Sequence, residues 1–200
     1  GIDARGLTKR YGQRTAVDAL NLQVHPGEVY ALLGPNGAGK STTIACLLGF
    51  VQADAGSIRL AGSNLLPAQA AVAHAAYIAE NVALYDRLTG IENVEFFLRL
   101  QGRSPQRVQI EALLARAGLA PEASGRQAHT YSKGMRQKVG IVMALAKGAQ
   151  VLVLDEPTSG LDPQASKAFG ELLHGLAADG VAVLMATHDL FRAQETAHRC

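Results

Sequence analysis

Gly34-Pro35-Asn36-Gly37-Ala38-Gly39-Lys40-Ser41-Thr42 is the stretch that decides the fold. It fits G-x-x-x-x-G-K-[S/T], and its surroundings are those the pattern needs. Val29–Gly34 is a short apolar run, as expected of a buried strand, and residues 40–49 suit a helix ending near Gly49. Glycines let the backbone N–H groups of residues 34–42 curl inward, and the helix that follows adds positive dipole potential. The loop therefore predicts a phosphate cradle, with Lys40 on the outer phosphates and the Ser41 hydroxyl on Mg²⁺. The bland alternative is a glycine-rich turn with a solvated lysine; motif and context together leave it little room.

VLVLDEP (Val151–Pro157) is a second buried-strand pattern, stopped by Pro157. An apolar strand ending in adjacent carboxylates delivers them to the mouth of an open α/β sheet, where ligands bind. Asp155 is the natural partner of Mg²⁺, through water, and Glu156 is placed to orient or deprotonate an attacking water. Alone, such a run is usually a strand meeting solvent. Coupled to the glycine loop, the functional reading wins. Val181–His188, entered through the Asp179-Gly180 turn, is a third buried run. Strands of this kind alternating with helices argue for a mostly parallel sheet covered on both faces.

The remaining segments fit around that core. The first thirty residues read as short strands joined by turns, with Pro26-Gly27 marking one turn. Thr89 and Glu92 have capping-box spacing, and Ile91, Val94, Phe97 and Leu98 follow on one helical face. Ile110, Leu113, Leu114 and Ala117 repeat the pattern before Gly118. Residues from about 80 to 130 thus read as a helical subdomain inserted between strands. Ser132 has the chemistry to cap the next helix, and Asp162-Pro163 to start the one lined by Phe169, Leu172, Leu173 and Leu176.

At 200 residues and 48% apolar, the chain can bury one full core or two small lobes sharing one. A net charge of +2 without a Lys/Arg run argues against a nucleic-acid partner. Cys46 and Cys200 form no metal spacing and read as reduced thiols of a cytosolic protein. His25, His74, His129, His174 and His198 show no metal spacing either and read as surface or packing residues. No apolar run approaches the ~20 residues a membrane span needs, and the residues given do not read as a signal peptide. Starting at Gly1 and ending after a helix-like stretch, the sequence reads as a single domain truncated at both ends.

With YSKGM (Tyr131–Met135) just upstream of the carboxylates, the chain resembles the ATP-binding cassette of ABC transporters over essentially its whole length. Gly34–Thr42 matches Walker A and Val151–Glu156 matches Walker B. SGLD (Ser159–Asp162) is similar to the D-loop, His188 in ATHD to the switch histidine, and Tyr11 in KRYG to the aromatic that stacks on adenine. The resemblance implies an α/β phosphate-loop NTPase core with an N-terminal antiparallel β subdomain and the inserted helical subdomain. It also implies two cassettes stacked head to tail around two ATP. Each ATP would touch Gly34–Thr42 of one copy and Ser132, Lys133, Gly134 and Met135 of the other, and Asp162 of the D-loop is a further nucleotide-binding residue that the resemblance implies. No arginine suited to stabilise the reaction in cis is evident, which fits a site completed by a second subunit.

Two departures from the family pattern matter. The usual Leu-Ser-Gly-Gly-Gln signature is Tyr131-Ser132-Lys133-Gly134-Met135 here, keeping Ser132 and Gly134. Glu80 stands where the family has Gln and could approach Mg²⁺, at the expense of negative charge beside the phosphates. Together they resemble the cassettes of type-2 ABC exporters, although Ala79 stands where that subgroup commonly has Pro. Residues 80–97 further resemble cassettes encoded with copper-site maturation of nitrous oxide reductase. The implied role is an ATPase on the cytoplasmic side of the inner membrane, peripheral, driving an integral membrane permease. Val82–Tyr85 would suit the permease groove, a core role for Val82 and Leu84 being equally consistent. The rival is a soluble ABC-type ATPase of DNA repair or translation; short helices without sustained heptads between the Walker motifs argue against it. A phosphate-loop kinase outside the family would not need YSKGM, SGLD and His188 together.

Overall fold

The computed structural model describes residues 1–64 and 74–200. It opens with an antiparallel pair, β1 (Ile2–Tyr11) and β2 (Arg14–Val24). After β3 (Val29–Leu33) and α1 (Lys40–Leu47), the chain returns as β4 (Ala55–Leu60) and β5 (Ser63–Asn64) to complete a sheet of order β2-β1-β4-β5. The expectation of several short strands is corrected to two strands of 10 and 11 residues. The reason is local. The β1–β2 register shifts three times, and each irregularity breaks the alternation by which a long strand is read.

The second sheet is wholly parallel, in the order β3-β8-β7-β6, with β6 (Ala75–Ile78), β7 (Val151–Asp155) and β8 (Ala182–Thr187). Its two faces are read off alternate residues. Val151, Val153, Ala182, Leu184 and Ala186 pack toward α1 and the antiparallel sheet. Leu152, Leu154, Val183 and Met185 pack beneath the helices of the opposite layer. Residues 151–154 and 182–186 have essentially no exposed surface, which is why both strands are continuously apolar.

Between β6 and β7 run α2 (Gly90–Leu100), α3 (Arg107–Arg116), α4 (Pro121–Ser124) and α5 (Lys133–Ala146). Thr89 and Glu92 make both bonds of the capping box. Ile91, Val94, Ile110 and Leu114 close on Val139 and Val142 of α5. α5 supplies the surface on which these helices bury their apolar faces, and with Ile141 and Ala144 it packs on the parallel sheet as well. On the far side, α6 (Pro163–Ala178) is capped by Asp162 and α7 (Leu190–Thr196) by Asp189. No helix of the described residues is long and apolar enough to cross a membrane.

Candidate functional site

The glycine loop joins the end of β3 to α1. Gly39 has φ 93°, and a Cβ there would run into the Ala16 carbonyl oxygen, so the loop needs glycine for conformation and for space. As the residue preceding α1, Gly39 supplies no capping side chain. Thr89, Ser132, Asp162 and Asp189 each cap their own helix with a side-chain oxygen. The first-turn N–H groups of α1 are thus left for an anion. Lys40, buried to 9% exposure, donates to Gly34 O at 2.5 Å and Pro35 O at 3.2 Å, and its ammonium is 3.8 Å from Glu156 Oε1. The end of the β1–β2 hairpin sits on the same loop. Tyr11 pairs across it with Arg14, whose guanidinium donates to Gly37 O at 3.4 Å, and Tyr11 is half exposed there.

The carboxylates lie at the carboxyl end of β7, beside that loop. Glu156 has φ 45°, a strained position for a residue with a side chain. Its carboxylate is held on both oxygens, by the Thr187 hydroxyl at 3.0 Å and His188 Nδ1 at 2.8 Å. Burial pushes the Asp155 carboxyl above its ordinary range, and the charges of Glu156 and Glu80 add to this. The Tyr77 hydroxyl, 3.3 Å from Asp155 Oδ2, acts the other way.

Ser132 to Met135 lie elsewhere. Ser132 Oγ accepts from Met135 N, Lys133 pairs with Glu80 at 2.9 Å, and Gly134 faces Leu161. Among the described residues they form no hydrogen bond or ion pair with Gly34–Thr42. Lys133 holds the Glu80 carboxyl below its ordinary range, aided by a hydrogen bond from Ser159. Val82 packs against the sheet-and-helix core and Leu84 against the helical one, while Ala83 and Tyr85 face out, Tyr85 edge-to-face with Phe96 at 4.7 Å.

Sequence reasoning missed several residues. Tyr77 alternates with Ile78 on β6, so its strand register could have pointed it at the site. Thr187, next to His188, could have been weighed as a second Glu156 donor. Arg192 had no local signal: its guanidinium donates to Thr158 O and Leu161 O, tying α7 to the turn at 158–161.

The family model described as ABC transporter matches residues 17–159. The chain is 42% identical to the Nod factor export ATP-binding protein I of Paraburkholderia xenovorans, across 99% of this chain and 66% of that protein. It thus spans just under two thirds of that relative's length. A solved ATP-binding subunit of an ABC transporter is similar at 31% identity and a TM-score of 0.82, over 98% of this chain and 82% of that one. The dimeric structure of a bacterial ABC transporter cassette is similar at 25% identity and a TM-score of 0.82, over 98% and 91%.

Proposed function

The chain belongs to the ABC transporter family, and from that premise we propose that it is the ATP-binding and ATP-hydrolysing subunit of an exporter. The observation that carries the reading is the convergence of Lys40 and His188 on the Glu156 carboxylate, at the uncapped N-terminus of α1.

Gly34–Thr42 would bind the phosphates through backbone N–H groups and Lys40, and Tyr11 would stack on the base. Among the described residues no cluster of three or more His, Cys, Asp or Glu is placed to hold a metal. That fits a Mg²⁺ ion that arrives on the phosphates and takes only Ser41 and Asp155 from the protein, with Glu80 within electrostatic reach. Bound there, it would neutralise charge on the transferring phosphoryl group. Glu156 would accept a proton from the attacking water, and His188 and Thr187 would fix its carboxylate for that step. The missing charge stabilisation would come from the N-terminus of α5 of a second copy, through Ser132 and Gly134, with Met135 and Asp162 lining the same face, while Lys133 stays with Glu80 of its own chain.

An exporter role is supported by the name of the 42%-identical relative, and the partners would be a second cassette and an integral membrane permease. The chain would then sit peripherally on the cytoplasmic face of the membrane. The copper-maturation resemblance of residues 80–97 concerns the cargo, which the permease would select. A repair or translation role gains no support from α2 and α3, which are 11 and 10 residues long and form no extended coil. The test is size-exclusion chromatography of Glu156→Gln with Mg-ATP. A shift from monomer to dimer is expected, and a variant that stays monomeric at saturating ATP defeats the two-copy reading.

A further inference from the structure

Residues 79–82 are registered on one face of α5. Gln137, fully buried, donates to Glu80 O at 2.7 Å and to Ala79 O at 3.2 Å. One turn earlier, Lys133 Nζ lies 2.9 Å from Glu80 Oε1. One turn later, Gly140 leaves room for Val82; a Cβ there would meet both valine methyls at 3.3 Å. Positions 133, 137 and 140 share a helix face. The backbone at 79–80 is thereby fixed, and only the Glu80 side chain keeps a choice of partner.

That carboxylate has two claimants. β6 and β7 run parallel with Ile78 opposite Leu154, so the chain at 79–80 leaves the sheet beside Asp155 and Glu156, where a nucleotide-borne cation would sit. Lys133 nevertheless holds the Glu80 carboxylate, with the Ser159 hydroxyl. The Lys133 and Glu80 side chains are 27% and 44% exposed, and an ion pair so solvated is weak enough for a divalent charge to compete with. We propose that Lys133 is a positioning residue that withholds Glu80 from the divalent cation of the bound nucleotide, so that the Glu80–Lys133 pair tunes cation affinity. The two departures from the family pattern, at Glu80 and Lys133, are on this view one charge-balanced unit. The proposal rests on the nucleotide reading above.

The test uses the Glu156→Gln chain, in which hydrolysis does not interfere. Binding of a fluorescent ATP analogue is followed as Mg²⁺ is titrated, with bound Mn²⁺ read in parallel by electron paramagnetic resonance. Lys133→Met is expected to lower the midpoint cation concentration by about three- to tenfold, the scale of one freed carboxylate near a partly screened cation. Lys133→Arg keeps the pair and leaves the midpoint near that of the parent. Made in a Glu80→Gln background, Lys133→Met gives no further shift. An unchanged midpoint in Lys133→Met, or a shift that survives Glu80→Gln, overturns the proposal. A parent chain that binds no analogue at all, like Lys40→Ala, defeats the nucleotide reading instead.

Discussion

His188 Nδ1 lies 2.8 Å from Glu156 Oε1, bridging the ends of two neighbouring strands. With Thr187 on the other oxygen, the carboxylate cannot rotate without giving up both partners. In the proposed role of base, a carboxylate locked in this way would be oriented before substrate arrives, and orientation is a large part of what a general base contributes.

Removing that lock should separate chemistry from binding. His188→Ala is expected to lower ATP turnover by about 10²–10³-fold while nucleotide affinity changes by less than about tenfold. Steady-state turnover set beside equilibrium binding of a fluorescent analogue reads both; a parallel loss in the two would assign His188 to binding.

Lys40→Ala should abolish nucleotide binding. Two charge-assisted bonds to phosphate, each worth about 1.5–3 kcal/mol, correspond to a loss on the order of a hundredfold or more in affinity. Calorimetric titration with ATP checks it, and undiminished binding would remove Lys40 from the phosphate site.

Asp155→Asn should stabilise the nucleotide-free chain. The folded carboxyl binds its proton more tightly than the unfolded one, because burial raises its pKa above the ordinary aspartate value. Above that value the unfolded chain releases the proton first, so stability falls as pH rises until the raised folded value is passed. At pH 7 the whole penalty is present, and Asn removes it. The melting midpoint at pH 7 is therefore expected to rise in the Asn variant. Thermal melts of both proteins should converge near pH 3 and separate toward pH 7; equal melts at pH 7 would refute the burial penalty.

Tyr131→Phe should loosen the helical subdomain. Its hydroxyl, in a side chain only 7% exposed, accepts from Gly90 N at 3.0 Å and donates to Ala123 O at 2.7 Å. Losing it strands a donor and an acceptor at a cost of about 1–3 kcal/mol. Urea unfolding at constant m-value measures this, and a change below about 0.5 kcal/mol would mean that water replaces the hydroxyl.

The chain's own order of residues determined the parallel sheet, its glycine loop and most helix starts. Each of these rests on neighbours a few positions apart: Gly39 beside Lys40, Thr89 with Glu92, Asp162 with Ala165. Backbone conformation and capping are local, so they can be read locally. Burial of residues 151–154 and 182–186 shows in the same way, since both runs are apolar on both faces and polar residues enter only at the carboxyl ends, with Asp155 and Thr187. Tertiary structure fixed the long-range partners of the charged groups, the His188–Glu156 contact being foreshadowed by the position of His188 after a buried strand. Glu80 meets Lys133 across 53 residues, Glu156 meets His188 across 32, and Arg192 reaches Thr158 across 34. Coulomb and hydrogen-bond energies depend on distance in space, and no periodicity along the chain encodes that distance. Long β1 and β2 stayed hidden for a related reason, because their bulges are fixed by pairing with each other and not by either strand alone.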